Sequence, residues 1–190
     1  MPASETFVLS DYPGFLPGLT IAIILGALVR RPVARFLSMS DGAAWVLVVS
    51  IGAVLSATLT PGSDGPRSVM TALACDTSRM GPAPLSSYLS FGTTSLNVLL
   101  FVPLGWAITR IGRPTPRAVA LAIAVLLPIA IEVIQLVATP LGRACQVADV
   151  VDNLIGLAIG IGAGLAVGFA IASLGRKVVT TTEPPPPRTG

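Results

Sequence analysis

Hydrophobic residues in this chain come in long unbroken runs separated by short polar stretches, not at amphipathic helix or strand spacing. Five runs stand out, at about 15–29, 43–60, 95–111, 118–138 and 150–174. Each approaches the roughly 20 residues that a helix needs to cross the hydrocarbon core, the first being the shortest. The pattern predicts an all-α fold, a polytopic membrane helical bundle of about five transmembrane helices. Polar punctuation sets the boundaries. Pro32, within "RRPVAR", is expected to close the first helix with a short link, and "TLTPGSDGP" ends the second. The longest loop follows, to about residue 94, and its stretch "GPAPLSSYLSFG" is apolar enough to rest at the membrane interface. A hydroxyl in "TTSLN" can cap the third helix, Pro128 lies within the fourth, and "TPLG" ends it. Residues 15–175 then make one bundle, after an N-terminal segment at 1–14. In the segment 176–190, "TTTEPPPPRTG" has no apolar surface to bury and is expected to be a disordered tail.

Composition agrees with this pattern. Charged residues make up 11% of the chain against 53% hydrophobic, and the mean hydropathy is +0.82, whereas soluble domains carry about 25% charged residues. The isoelectric point near 9.4 reflects topology and not a nucleic-acid partner. In an alternating five-span arrangement, Arg30, Arg31, Arg35, Arg110, Arg113, Arg117, Arg176, Lys177 and Arg188 share one side, and only Arg67, Arg79 and Arg143 lie on the other. The positive-inside rule then puts the N-terminus outside the cell membrane and the C-terminus in the cytoplasm. The first fifteen residues hold Glu5 and Asp11 but no cation, unlike a secretory signal, so the first helix is expected to stay in the protein.

The remaining polar residues gather at one depth. Asn97 lies near the outer start of the third helix, and Glu132 and Gln135 near the outer end of the fourth, three residues apart and on one face. Arg143 sits in the next loop, and Asp149, Asp152 and Asn153 begin the fifth helix. At 100° per residue, Asp149, Asn153, Gly156 and Gly160 share an arc of roughly 60°. The acids and amides therefore continue a small-residue packing face, which suits close contact between helices. An acidic, outward-opening pocket among the last three helices is the expected assembly. A structural alternative pairs Glu132 with Arg143 merely to pin the bundle, but intramembrane ionisable residues are functional candidates by default. Both cysteines, Cys75 and Cys145, fall in outer loops, where they form a disulfide or remain two free thiols.

The segments "NVLLFVPLG" (97–105), "IEVIQL" (131–136), "GR" (142–143) and "DVVDNLIGLAIG" (149–160) resemble the VanZ-like family over a motif core at about 95–165. The resemblance implies binding positions at Asn97, Glu132, Gln135, Arg143, Asp149 and Asn153, and structural positions at Pro103, Gly105, Gly156 and Gly160. Pro128 and Asp152 depart from that family's pattern. The resemblance further implies an envelope protein linked to low-level resistance to teicoplanin, a lipoglycopeptide. It implies no reaction.

Two function classes follow. In the first, an outer-leaflet pocket binds the head group of a membrane lipid, a lipid-linked cell-wall precursor or a lipoglycopeptide, without a cofactor. In the second, the protein is a membrane enzyme acting on a lipid phosphate or lipid-linked wall precursor. Glu132 and Asp149 are its candidate catalytic residues, Glu132 as general acid or base, and Asp149 and Asp152 are weak candidate ligands for a divalent cation. The chain contains no histidine and no nucleophile elbow, which favours binding. Five helices without an inverted repeat or a broken pair give a transporter little support.

Overall fold

The computed structural model describes residues 14–61 and 74–181. Their helices are α1 (Phe15–Leu37), α2 (Asp41–Thr58), the short α3 (Leu85–Leu89), α4 (Thr93–Thr109), α5 (Pro114–Val137) and α6 (Val147–Thr181), with a 3-10 turn at Thr139–Leu141. The fold is all-α, and among the described residues the extended pairing is an isolated parallel bridge between Asp76 and Gln146. Helices α1, α2, α5 and α6 are long and apolar enough to span a bilayer, and α4, at 17 residues, is a shorter apolar helix. Four long apolar helices and one shorter one stand where the sequence predicts about five, and α1, expected to be the shortest, runs to 23 residues.

Local chemistry explains most of the ends. Ser40 caps α2, its hydroxyl accepting the Ala43 N–H at 3.3 Å, and Asp41 in the first turn complements the helix dipole. Pro114 opens α5, where its missing N–H costs nothing. The N-cap of α4 is Gly92 and not a hydroxyl residue; Ser95 instead reaches back, accepting the Gly92 N–H at 3.1 Å.

Two ends differ from the sequence expectation. Helix α1 does not stop at Pro32 but continues to Leu37. Pro32 forfeits one backbone bond, but the extra turn buries Ala34 to 4% exposure and packs Leu37 against the core. Helix α6 continues to Thr181, past the boundary expected at 175. Nothing in "RKVVTT" breaks a helix, and the first proline after it is Pro184. The expected outer segment at 1–13, the Gly62–Pro66 turn and the tail from 182 onward lie outside the described residues.

The core forms where α2, α4, α5 and α6 meet, around the fully buried Val54 and Phe101 with Leu104, Ile131 and Leu157. Outside this seam the bundle is covered in exposed apolar side chains, among them Leu28, Leu126 and Phe169. Water would not tolerate such a surface, and acyl chains solvate it. Leu85, Leu89 and Phe91, on and beside α3, are more than 70% exposed, which suits the interfacial position expected for that segment. Helix α1 joins through small residues: Gly18 meets Ser56, Ala22 meets Gly52, and Gly26 meets Trp45 and Val49.

Helices α4 and α6 make the closest contact in the bundle. A Cβ at Gly156 would collide with the Val98 carbonyl, one at Gly160 with the Val102 carbonyl, and one at Gly105 with the Leu157 carbonyl. The two backbones therefore touch without intervening side chains, the arrangement that small residues permit in a membrane. Gly160→Leu is expected to lower the thermal midpoint of the purified protein by an amount equivalent to about 1–3 kcal/mol. Gly162→Ala is the control: nothing lies within 4 Å of its Cβ position. Equal midpoints for the two variants would refute the contact.

Candidate functional site

Because the long helices alternate in direction, five termini meet at one end of the bundle. The start of α1, the end of α2, the start of α4, the end of α5 and the start of α6 enclose a cavity of about 130 Å³. Its polar lining is Thr58, Thr93, Asn97, Glu132, Gln135, Arg143, Asp149 and Asn153, and its apolar wall is Phe15, Ala57, Leu96 and Leu100. All six residues singled out for binding therefore face one space. Phe15 of α1 and the end of α2 also contribute, which no local pattern in the chain indicates.

Several of these side chains first serve as caps. A helix end inside a membrane leaves backbone groups that water cannot reach. At the end of α2, Gln135 Nε2 donates to the Thr58 carbonyl at 3.0 Å. Arg143 donates from Nη2 to the Ala57 carbonyl at 2.8 Å and from Nε to the Thr60 carbonyl at 3.3 Å. These donors, one of them cationic, sit where the helix dipole is negative. At the start of α6, the Gln146 N–H donates to Glu132 Oε2 at 2.6 Å. A carboxyl group from α5, 5% exposed, thus caps the positive end of α6. Glu132 and Arg143, weighed as a structural pair, each pin the bundle through backbone groups as well.

The other polar residues are less fully engaged. Asn97 turns toward the Asp149 carboxyl, although its Nδ2 has no hydrogen bond of regular geometry. Asn153 is 1% exposed and its Oδ1 has no hydrogen-bond partner. Buried amide atoms without partners are rare enough in folded proteins to need a reason.

Asp152 has a different role from the one weighed for it. It is fully buried, and both its oxygens are engaged by Arg79, at 3.0 Å from Nη1 and 2.5 Å from Nη2. Tyr88 donates its hydroxyl to Asp152 Oδ1 at 3.0 Å and accepts the Ala83 N–H at 2.9 Å. The bond to Asp152 holds the Arg79 guanidinium above its ordinary pKa. Asp152 is thus the anchor of the outer loop and not a partner for Asp149. Among the described residues no group of three or more His, Cys, Asp or Glu comes together. The sequence places Arg79 only by side and Tyr88 only in the long loop; their pairing with Asp152, 73 and 64 residues away, carries no local signal.

A second fastening lies beside the first. Cys75 and Cys145 form a disulfide across 70 residues, with Cα atoms 4.6 Å apart. Chain entropy for a loop of that length is worth about 4 kcal/mol. The Asp76 N–H bonds the Cys145 carbonyl at 2.8 Å and the Val147 N–H bonds the Asp76 carbonyl at 3.0 Å. Asp76 Oδ1 accepts the Ser78 N–H, which holds this carboxyl below its ordinary pKa. The strap is continuous with the cavity, since Gln146, the partner of Glu132, lies within it.

A bundle of long apolar helices with an apolar exterior defines a polytopic membrane protein, here with a polar-lined cavity at one end. The chain matches the VanZ/LLP1 family over residues 67–170, more than half its length, and it belongs to that family. No curated protein and no solved structure matches it.

Removing Arg79 leaves a buried carboxylate unpaired, which typically costs about 3–5 kcal/mol. Arg79→Ala is expected to destabilise the purified protein markedly, and Arg79→Ala with Asp152→Asn to recover much of the loss. A double variant no more stable than the single one would show that the pair does not anchor the loop.

Proposed function

We propose that this protein is a non-enzymatic component of the cell envelope whose cavity receives the head group of a lipid-linked or lipoglycopeptide molecule in the outer leaflet. Through it, the protein modulates glycopeptide susceptibility, teicoplanin above all. The observation that carries this reading is the convergence of Asn97, Glu132, Gln135, Arg143, Asp149 and Asn153 on one cavity at one end of the bundle. Binding is favoured over catalysis because the available groups form a lining without a nucleophile, a histidine or a spare second aspartate. The remainder of such a molecule would lie in the leaflet and beyond it.

The outward orientation rests on the cations. Arg30, Arg31, Arg35, Arg110, Arg113 and Arg117 lie at or near the helix ends opposite the cavity. Single cysteines at positions 64 and 144 are expected to react with an impermeant maleimide on intact cells, and one at 113 only after permeabilisation. Cys75 and Cys145 stay silent while disulfide-bonded. The reverse pattern would turn the cavity to the cytoplasm and sink the proposal.

Deletion and overexpression, followed by teicoplanin and vancomycin susceptibility, test the phenotype. Glu132→Gln keeps the shape and an acceptor for the Gln146 N–H but removes the charge. It is expected to abolish the phenotype at near-normal abundance in the membrane. An active but scarce Glu132→Gln protein would make the glutamate structural. Conversion of a lipid-linked precursor by the purified protein, lost in Asp149→Asn, would make the protein an enzyme.

A further inference from the structure

We propose that the cavity selects a primary ammonium group, as carried by an aminoethyl lipid head group; this rests on the head-group reading and narrows it to one chemical class.

Charge balance is the first observation. Among the described residues, the lining holds two carboxyls, Glu132 and Asp149, against one guanidinium, Arg143. The nearby cation Arg79 is matched by Asp152, and two nitrogens of Arg143 serve the end of α2. A cation supplied by a ligand completes the pairing that charged groups at membrane depth require.

The kind of acceptor narrows the class. Glu132, Gln135, Asp149 and Asn153 offer oxygens around one space, and Asn153, almost wholly buried, carries an amide oxygen without a partner. A primary ammonium brings three N–H donors to such a set. A quaternary ammonium brings none and is held instead by an aromatic cage, whereas among the described residues the lining has one aromatic ring, Phe15. A phosphate calls for several convergent donors or a free helix N-terminus. Here the N-terminus of α6 is occupied, with Gln146 N–H given to Glu132 and Asp149 in the first turn.

Size agrees. A cavity of about 130 Å³ is close to the roughly 150 Å³ that accommodates benzene in another protein. An aminoethyl group fits within that volume. Leu96, Leu100 and Phe15 line the apolar side of the same space, where an acyl-linked ligand meets the leaflet.

The test uses the full-length protein in nanodiscs, with retained lipid read by native mass spectrometry. Phosphatidylethanolamine, its N-methyl and N,N-dimethyl derivatives, phosphatidylcholine and phosphatidylglycerol are supplied in equal amounts. Retention is expected to fall with each methyl group, phosphatidylethanolamine exceeding phosphatidylcholine by about tenfold or more, and to be lost in Asp149→Asn. Free ethanolamine as competitor separates the two sources of the group: displacement means that the amine suffices, and resistance means that the intact lipid is read. Equal or stronger retention of phosphatidylcholine or phosphatidylglycerol, abolished by Asp149→Asn, would overturn the ammonium class and leave the head-group reading standing. Retention indifferent to both Asp149→Asn and Glu132→Gln would overturn both. Because the lipid series is run on the unaltered protein, a variant that fails to fold does not decide the outcome.

Discussion

The backbone contact between α4 and α6 is the constraint from which the rest follows. With Gly105, Gly156 and Gly160 each lying against a carbonyl of the facing helix, neither helix can slide or rotate without a clash. Asn97 is one residue before Val98, the residue that meets Gly156. Asn153 and Asp149 lie one and two turns before Gly156 on the same face. The glycines therefore fix the register that brings an amide of α4 toward a carboxyl of α6. Lipid offers little driving force for helix association, so this close fit has to come from packing itself.

The polar end shows how a membrane protein makes its caps into a site. The open carbonyls of α2 and the open N–H groups of α6 must be met by protein, since acyl chains cannot do it. Gln135, Arg143 and Glu132 meet them from neighbouring segments, and in doing so their side chains become rigid walls of the cavity. Capping and lining are thus not alternatives for Glu132. One of its oxygens accepts the Gln146 N–H, and the same carboxyl faces the cavity.

Much of this was legible in the sequence. Long apolar runs gave the helices, and the periodicity of Asp149, Asn153, Gly156 and Gly160 gave the face of α6. What could not be read was contact between segments distant along the chain. Nothing local in Arg79 points to Asp152, 73 residues away, and nothing local in Gln135 points to the carbonyl of Thr58. Pro32 misled for the opposite reason: its local penalty is real, but burial of Ala34 and Leu37 outweighs it. The N-cap of α4 was also misread, since the useful hydroxyl lies inside the helix, at Ser95.

The length of α4 bears on the bilayer itself. Seventeen residues rise about 25 Å, some 5 Å less than a typical hydrocarbon core, and Leu99 on this helix is 56% exposed to the lipid side. A leaflet meeting so short a helix thins to match it or draws its polar surface inward. Thinning on that flank would lower the polar layer of the bilayer toward Asn97, and the length of one helix would then set how far the cavity mouth lies from water.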